Sequence, residues 1–119
     1  MKCRTLPVAY LAAMADVLRI LGHAYRLRIV ERLDLCGPAP GHILLSKLGG
    51  AQGALSQHLS KLRLAGVIRA ERRGKEVWYS LASPASLTIL NCMRRKHEET
   101  TGNKRQIPGA SHQASSARG

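Results

Sequence analysis

The 119 residues predict a mainly α-helical domain with one β-hairpin late in the chain. Three observations lead there. Apolar residues recur at i, i+3, i+4 and i+7 through most of the first 66 positions, which is the spacing of amphipathic helices. Glycine and proline clusters break that spacing at Gly22 and at CGPAPG (36–41). Two β-rich runs, Val67–Arg72 and Glu76–Leu81, flank the basic turn Arg73-Gly74-Lys75, so a hairpin is the natural reading. A chain of this length has room for one domain with a modest core.

The first helix is expected over 6–20, with Thr5 as cap and Pro7 in the first turn, where no helical donor is lost. Leu11, Met14, Val17, Leu18 and Leu21 give it a broad apolar face. Its cations and apolar run resemble a signal peptide superficially, but Asp16 and Arg19 interrupt the run. No stretch approaches the roughly 20 apolar residues of a spanning helix. The protein is therefore expected in the cytoplasm, with no membrane partner.

After Gly22-His23 a second helix is expected over 24–35, with Leu27, Ile29, Val30 and Leu33 inward and Arg26, Arg28 and Arg32 among its polar positions. A short third helix, His42–Leu48, follows the glycine–proline stop. Gly49-Gly50-Ala51-Gln52 is then a flexible turn into a fourth helix over 53–65, which Ala65-Gly66 ends. Two helices joined by a short glycine-rich turn form a helix-turn-helix unit. In the hairpin, Val77, Tyr79 and Leu81 alternate toward the core and leave Trp78 on the other face. Pro84 opens a last helix over 84–99, with Leu87, Leu90 and Cys92 or Met93 as its seam. One domain is thus expected over 1–99, followed by a disordered basic tail over 100–119, which has almost no large apolar residues.

The helix over 53–65 carries the functional signal. Leu55, Leu59 and Leu62 share one stripe, while Ser56, Gln57 and Ser60 point the opposite way with Lys61 beside them. Small hydrogen-bonding side chains on an exposed helix face, followed by many cations, suit the reading of a DNA major groove. His58 lies about 60° from the leucine stripe on an ideal helix, so a half-buried structural role and a DNA contact fit it equally. Between Lys61 and Lys75 stand six cations (Lys61, Arg63, Arg69, Arg72, Arg73 and Lys75) against one acid, Glu71. The formal charge of +12 points to a polyanionic partner. It is not confined to the tail, because residues 1–93 hold 13 basic and 5 acidic side chains, net +8.

Two stretches, LGHAYRLRIVERL (21–33) and LSQHLSKLRLAGVIRAERRGKEVWYSL (55–81), resemble the signature regions of the ArsR/SmtB-type bacterial transcriptional regulators. The similarity covers most of residues 10–99. It implies a winged helix-turn-helix fold with five helices and two short strands, and a homodimer built from the first and last helices. It also implies a repressor of transcription on a near-palindromic double-stranded DNA operator. By position, Gln52, Ser56, Gln57 and Ser60 are then candidates for base edges or nearby phosphates, and Lys61 and Arg63 for phosphates. The hairpin becomes a wing along the backbone or minor groove, with Arg72, Arg73 and Lys75 as its contacts.

The sensor sites of such regulators can be compared residue by residue. The thiolate site would place a Cys-x-Cys where Pro40-Gly41-His42 stands. The zinc site of the last helices would need Asp and His where Ser83 and Ala85 stand, so its first carboxylate and imidazole are missing. The paired cysteines of the redox-sensing members would occupy Glu31 and Glu98; Cys36 and Cys92 lie five and six residues away. Cys36 and Cys92 are the candidates for a redox response, with Cys3 as a third thiol, although a disulfide needs Cα atoms within about 7 Å. Three scattered cysteines with no CxxC spacing argue for reduced thiols and against a structural zinc site. No metal ligand set, cofactor motif or catalytic constellation is present, so an enzyme is not expected, and any effector is left open. The other reading is an architectural nucleic-acid binder whose charge matters more than sequence recognition.

Overall fold

The computed structural model describes residues 4–102, so Cys3 and most of the expected tail lie outside the described residues. Five helices and three strands follow in the order α1 (Val8–Leu21), α2 (Ala24–Cys36), β1 (Ala39–Pro40), α3 (Gly41–Leu48), α4 (Gln52–Leu64), β2 (Ile68–Arg73), β3 (Glu76–Leu81) and α5 (Pro84–Gly102). This is a winged helix-turn-helix.

α1 begins two residues later than expected, and Thr5 does not cap it. Pro7 holds the N-cap position in extended backbone, φ −60° and ψ 144°, with no side-chain cap. A residue before proline is pushed out of the helical region, which removes Leu6 from the helix. The broad apolar face of α1 is only partly covered by this chain. Leu21 is buried and Met14 and Val17 half-buried, but Leu11 and Leu18 are about half exposed and Val8 is 81% exposed.

His23 opens α2, its Nδ1 accepting from the Tyr25 backbone N–H at 3.1 Å. The stop after Cys36 holds a strand that the sequence did not suggest. Ala39 and Pro40 pair antiparallel with Tyr79 and Trp78, giving a three-stranded sheet ordered β1–β3–β2 rather than a hairpin alone. Two residues are too few to show alternation, and an edge strand tolerates proline because one side of its ladder is open.

The turn from α3 to α4 depends on Gly49 and Gly50, whose φ values of 80° and 90° lie in the left-handed region. The Tyr25 hydroxyl fixes this turn by donating to the Gly49 carbonyl at 2.7 Å. α4 ends in a paired C-terminal cap. Gly66 N–H donates to Arg63 O and Val67 N–H to Leu62 O, and a φ of 80° at Gly66 lets the chain turn into β2. Between β2 and β3 the loop is only Gly74-Lys75, since Arg73 pairs with Glu76.

The expected alternation in β3 is present in register but not in exposure. Val77, Tyr79 and Leu81 face with Arg72, Ala70 and Ile68, yet every residue from Val77 to Leu81 is half-buried. The outer face is covered too: the Arg73 guanidinium lies 4.6 Å over the Trp78 ring. The core itself is helical, with Ile29 and Val30 from α2, Leu44 from α3 and the three α4 leucines all buried beside Val67 and Ile68.

Residues through Leu87 belong to one compact unit, and α5 from Thr88 onward to another. Ser83 caps α5, its Oγ accepting from the Ser86 N–H at 3.3 Å. Within α5 Leu90 is buried and Leu87 half-buried, whereas Cys92 and Met93, the alternatives for the seam, are both exposed. The helix runs three residues beyond the expected Glu99, through Gly102.

Leu62 has no exposed surface. Leu62→Ala should therefore lower unfolding free energy by about 2–5 kcal/mol, the range for a buried leucine that leaves a cavity. Urea denaturation at fixed protein concentration measures this, and a loss below about 1 kcal/mol would show that α4 is not anchored through its leucines.

Candidate nucleic-acid interface

α4 resolves the two halves of its sequence pattern completely. Leu55, Leu59 and Leu62 are each at most 4% exposed. Gln52, Ser56, Gln57, Ser60, Lys61 and Arg63 are all exposed, and so are Arg72, Arg73 and Lys75 in the wing. Gln52 lies inside α4 rather than in the turn before it, one residue ahead of the expected start. This puts Gln52, Ser56 and Ser60 at i, i+4 and i+8, one continuous edge of the helix.

That edge borders a groove of about 330 Å³ between α3, α4 and β3, lined by His42, Gln52, Ser56, Glu76, Val77 and Tyr79 among others. At its mouth His42 Nδ1 stands 3.0 Å from Glu76 Oε2. This contact joins the start of α3 to the start of β3, so the wing is referred to the helix-turn-helix unit. Neither residue stood out in the sequence, because the contact joins positions 34 apart with no shared pattern.

The wing cations are not equivalent. Arg73 stacks on Trp78 and its guanidinium is 3.3 Å from Glu71, so both its charge and its plane are engaged. Arg72 sits on the other face of the hairpin, opposite Val77, and its Nε donates to the Gly74 carbonyl at 3.3 Å. Lys75 follows at the tip. Arg72 is therefore on the side shared with the groove-lining Val77 and Tyr79, and Arg73 on the side shared with Trp78.

Behind α4 lies a cluster that sequence reading left undecided at His58 and otherwise missed. The Arg26 guanidinium donates from Nε to His58 Nδ1 at 3.1 Å and from Nη1 to the Ile20 carbonyl at 3.0 Å. The His58 ring meets His23 edge-on at 4.5 Å and lies 5.0 Å from Tyr25. His58 is thus a half-buried structural histidine. Burial holds its pKa below the ordinary 6.5, and the nearby His23, Arg26 and Lys61 push it the same way. Burial also pushes the Tyr25 hydroxyl up, which keeps it the neutral donor that the Gly49 contact requires.

Among the described residues no three of His, Cys, Asp and Glu stand together to hold a metal ion. Cys36 and Cys92 are free, exposed thiols. No helix of the described residues is long and apolar enough to cross a membrane.

An exposed polar helix face backed by buried leucines, a cationic wing and a helix-turn-helix core define a DNA-binding module. No family model matches the chain. It is 37% identical over 81 residues to the HTH-type transcriptional regulator Rv0081 of Mycobacterium tuberculosis, covering 68% of this chain and 71% of that protein. The crystal structure of Rv0081 covers 84% of this chain and 98% of that one, with a TM-score of 0.67 and 32% identity. The transcriptional repressor SmtB of the same organism is 38% identical over 85 residues, 68% of this chain and 62% of that protein. The solution structure of Mb0332 from Mycobacterium bovis is a homodimeric winged helix-turn-helix DNA-binding domain and a possible ArsR-family regulator. It shares only the fold, with a TM-score of 0.67 and 22% identity over 83% of this chain and 92% of that one. The chain belongs to the ArsR/SmtB family of HTH transcriptional regulators. Its work is DNA-binding regulation of transcription and not catalysis.

The His58 cluster gives a pH dependence with a definite sign. The folded protein binds a proton at His58 less readily than the unfolded chain does. Stability from the cluster is complete above the ordinary histidine pKa of 6.5 and is lost as pH falls from there through the depressed folded value. Between about pH 7.5 and pH 5.5 the native protein should lose more stability than His58→Gln, which cannot titrate. Equal losses in urea midpoints would remove His58 from the account.

Proposed function

We propose that the protein is a cytoplasmic, homodimeric repressor that binds a near-palindromic operator. Each subunit sets α4 in a major groove and lays its wing along the adjacent backbone or minor groove. The observation that carries this reading is the α4 face on which Gln52, Ser56, Gln57 and Ser60 are all exposed while the leucines behind them are buried. A face of amides and hydroxyls is a set of paired donors and acceptors, which base edges require and phosphates alone do not. Gln57 is the residue assigned to adenine, through a bidentate amide contact.

Homodimerisation through the first and last helices is supported by apolar surface left on each. α1 exposes Val8, Tyr10, Leu11 and Leu18, and α5 exposes Met93. A row of large apolar side chains on α1, with Met93 on α5, suits a self-complementary interface. The homodimeric state of Mb0332 agrees with that reading. Two-fold symmetry then sets half-sites about one helical turn, or a multiple of it, apart.

In competition binding, the upstream region of the protein's own gene should outcompete random DNA by about a thousandfold or more. Gln57→Ala should reduce discrimination at one base pair per half-site by about 1–3 kcal/mol, leaving other positions unchanged. Equal affinity for random DNA would instead establish an architectural binder.

The wing should separate in salt titrations. Arg72→Ala should flatten the slope of log affinity against log salt by about two units, roughly one for each of the two phosphate contacts the dimer loses. Arg73→Ala, which uncovers Trp78, should shift tryptophan emission to the red as well as weakening binding. A slope unchanged in both variants would refute the wing's contact with DNA.

A further inference from the structure

A second cleft, of about 620 Å³, opens between α1, α2 and the C-terminal end of α4, away from the groove beside the wing. Its lining combines Asp16, Arg19 and Ile20 from α1, Arg26 from α2, and Lys61 and Leu64 from α4. The volume is within the range of small-ligand sites, roughly 300–1,000 Å³. Three of the lining side chains are cations. Asp16, the one carboxylate among the described lining residues, is committed to Arg19 at 3.2 Å. The cleft also holds apolar surface in need of cover: Leu64 is 79% exposed, and Ile20 is half-buried beside it.

We propose that this cleft binds an organic monocarboxylate with an apolar body and acts as the effector site of the regulator. The inference rests on the DNA-binding reading for its regulatory half only. The carboxylate pairs with Lys61 and with the outer edge of Arg26 or Arg19, and the apolar body covers Leu64 and Ile20. Charge balance favours such a ligand, since positive side chains converge here with one acid among them.

The site is coupled to the recognition helix in two ways. Lys61 is on α4 and is assigned to an operator phosphate, so a carboxylate on it competes directly with DNA. Arg26 is bonded to His58 on the same helix and to the Ile20 carbonyl at the end of α1. Any shift of Arg26 toward an anion therefore acts on the seating of α4. On an ideal α1, Asp16 and Ile20 lie about 140–180° around from Leu11 and Leu18, and Arg19 about 80–100°.

Calorimetry on the full chain without DNA tests the site, with 1-naphthoate as probe and 1-naphthalenemethanol as its neutral counterpart. Saturable naphthoate binding is expected, with little or none for the alcohol. Arg19→Glu should weaken naphthoate binding about tenfold, because it replaces an attractive charge with a repulsive one beside Asp16. Leu64→Ala should weaken it several-fold, and both side chains are too exposed for either change to affect folding. Naphthoate at saturation should also lower operator affinity about tenfold, an ordinary size for coupling between two sites.

Binding weaker than about 1 mM, equal binding of the alcohol, or affinity unmoved by both substitutions would overturn the site. Naphthoate binding that leaves operator affinity within twofold would overturn the effector role. If the chain binds no operator while naphthoate binding behaves as expected, the DNA-binding reading fails and the site stands. Loss of naphthoate binding alone fells the site and leaves that reading intact.

Discussion

Arg26 is the residue through which three helices are held in relation. Its guanidinium caps the end of α1 at Ile20, stands on α2, and reaches His58 on α4. A side chain with donors in a fixed plane can satisfy two acceptors on different elements at once, which a lysine point charge does less well. Because His58 accepts from Arg26, it must stay neutral, and the geometry of α4 depends on that neutrality. Tyr25, one residue away, fixes the turn ahead of α4 at Gly49. α4 is therefore held by leucines from beneath and by two neighbouring α2 side chains from the side.

That arrangement explains how a small domain holds the polar face of α4 outward. The buried leucines set the rotation of α4 about its axis, so a polar face appears opposite them. The contacts from Tyr25 and Arg26 set its tilt and its entry from the turn. The wing is placed independently, through the sheet and through the His42–Glu76 contact. α4 and the wing are thus referred to one core by separate links.

Much of this was legible in the sequence because it is periodic. The α4 leucine stripe, the exposed serines and Gln57, the glycine turn and the hairpin all rest on spacings of 3.6 or 2 residues or on backbone demands of glycine. What escaped was aperiodic. β1 is two residues long and includes a proline, so no pattern marks it. Thr5 was a plausible cap, but the effect of Pro7 on Leu6 decided the helix start. Arg26–His58, His23–His58 and His42–Glu76 join residues 32 to 35 positions apart, and a single chain of letters carries no record of such pairs. Exposure of the α1 apolar face was equally invisible, since periodicity says that a face is apolar and not what covers it.

The strand order β1–β3–β2 leaves both sides of the sheet open. An open edge is a template for another copy of the chain, and a regulator gathered at its operator is locally concentrated. Here β2 carries Arg69, Glu71, Arg72 and Arg73 along its exposed length, and β1 stops after two residues at Pro40, which has no N–H to offer. Charge on one border and proline on the other both resist edge-to-edge pairing. The arginines of the wing thereby guard the sheet against self-association, and replacing them all with neutral residues would expose a sheet able to polymerise.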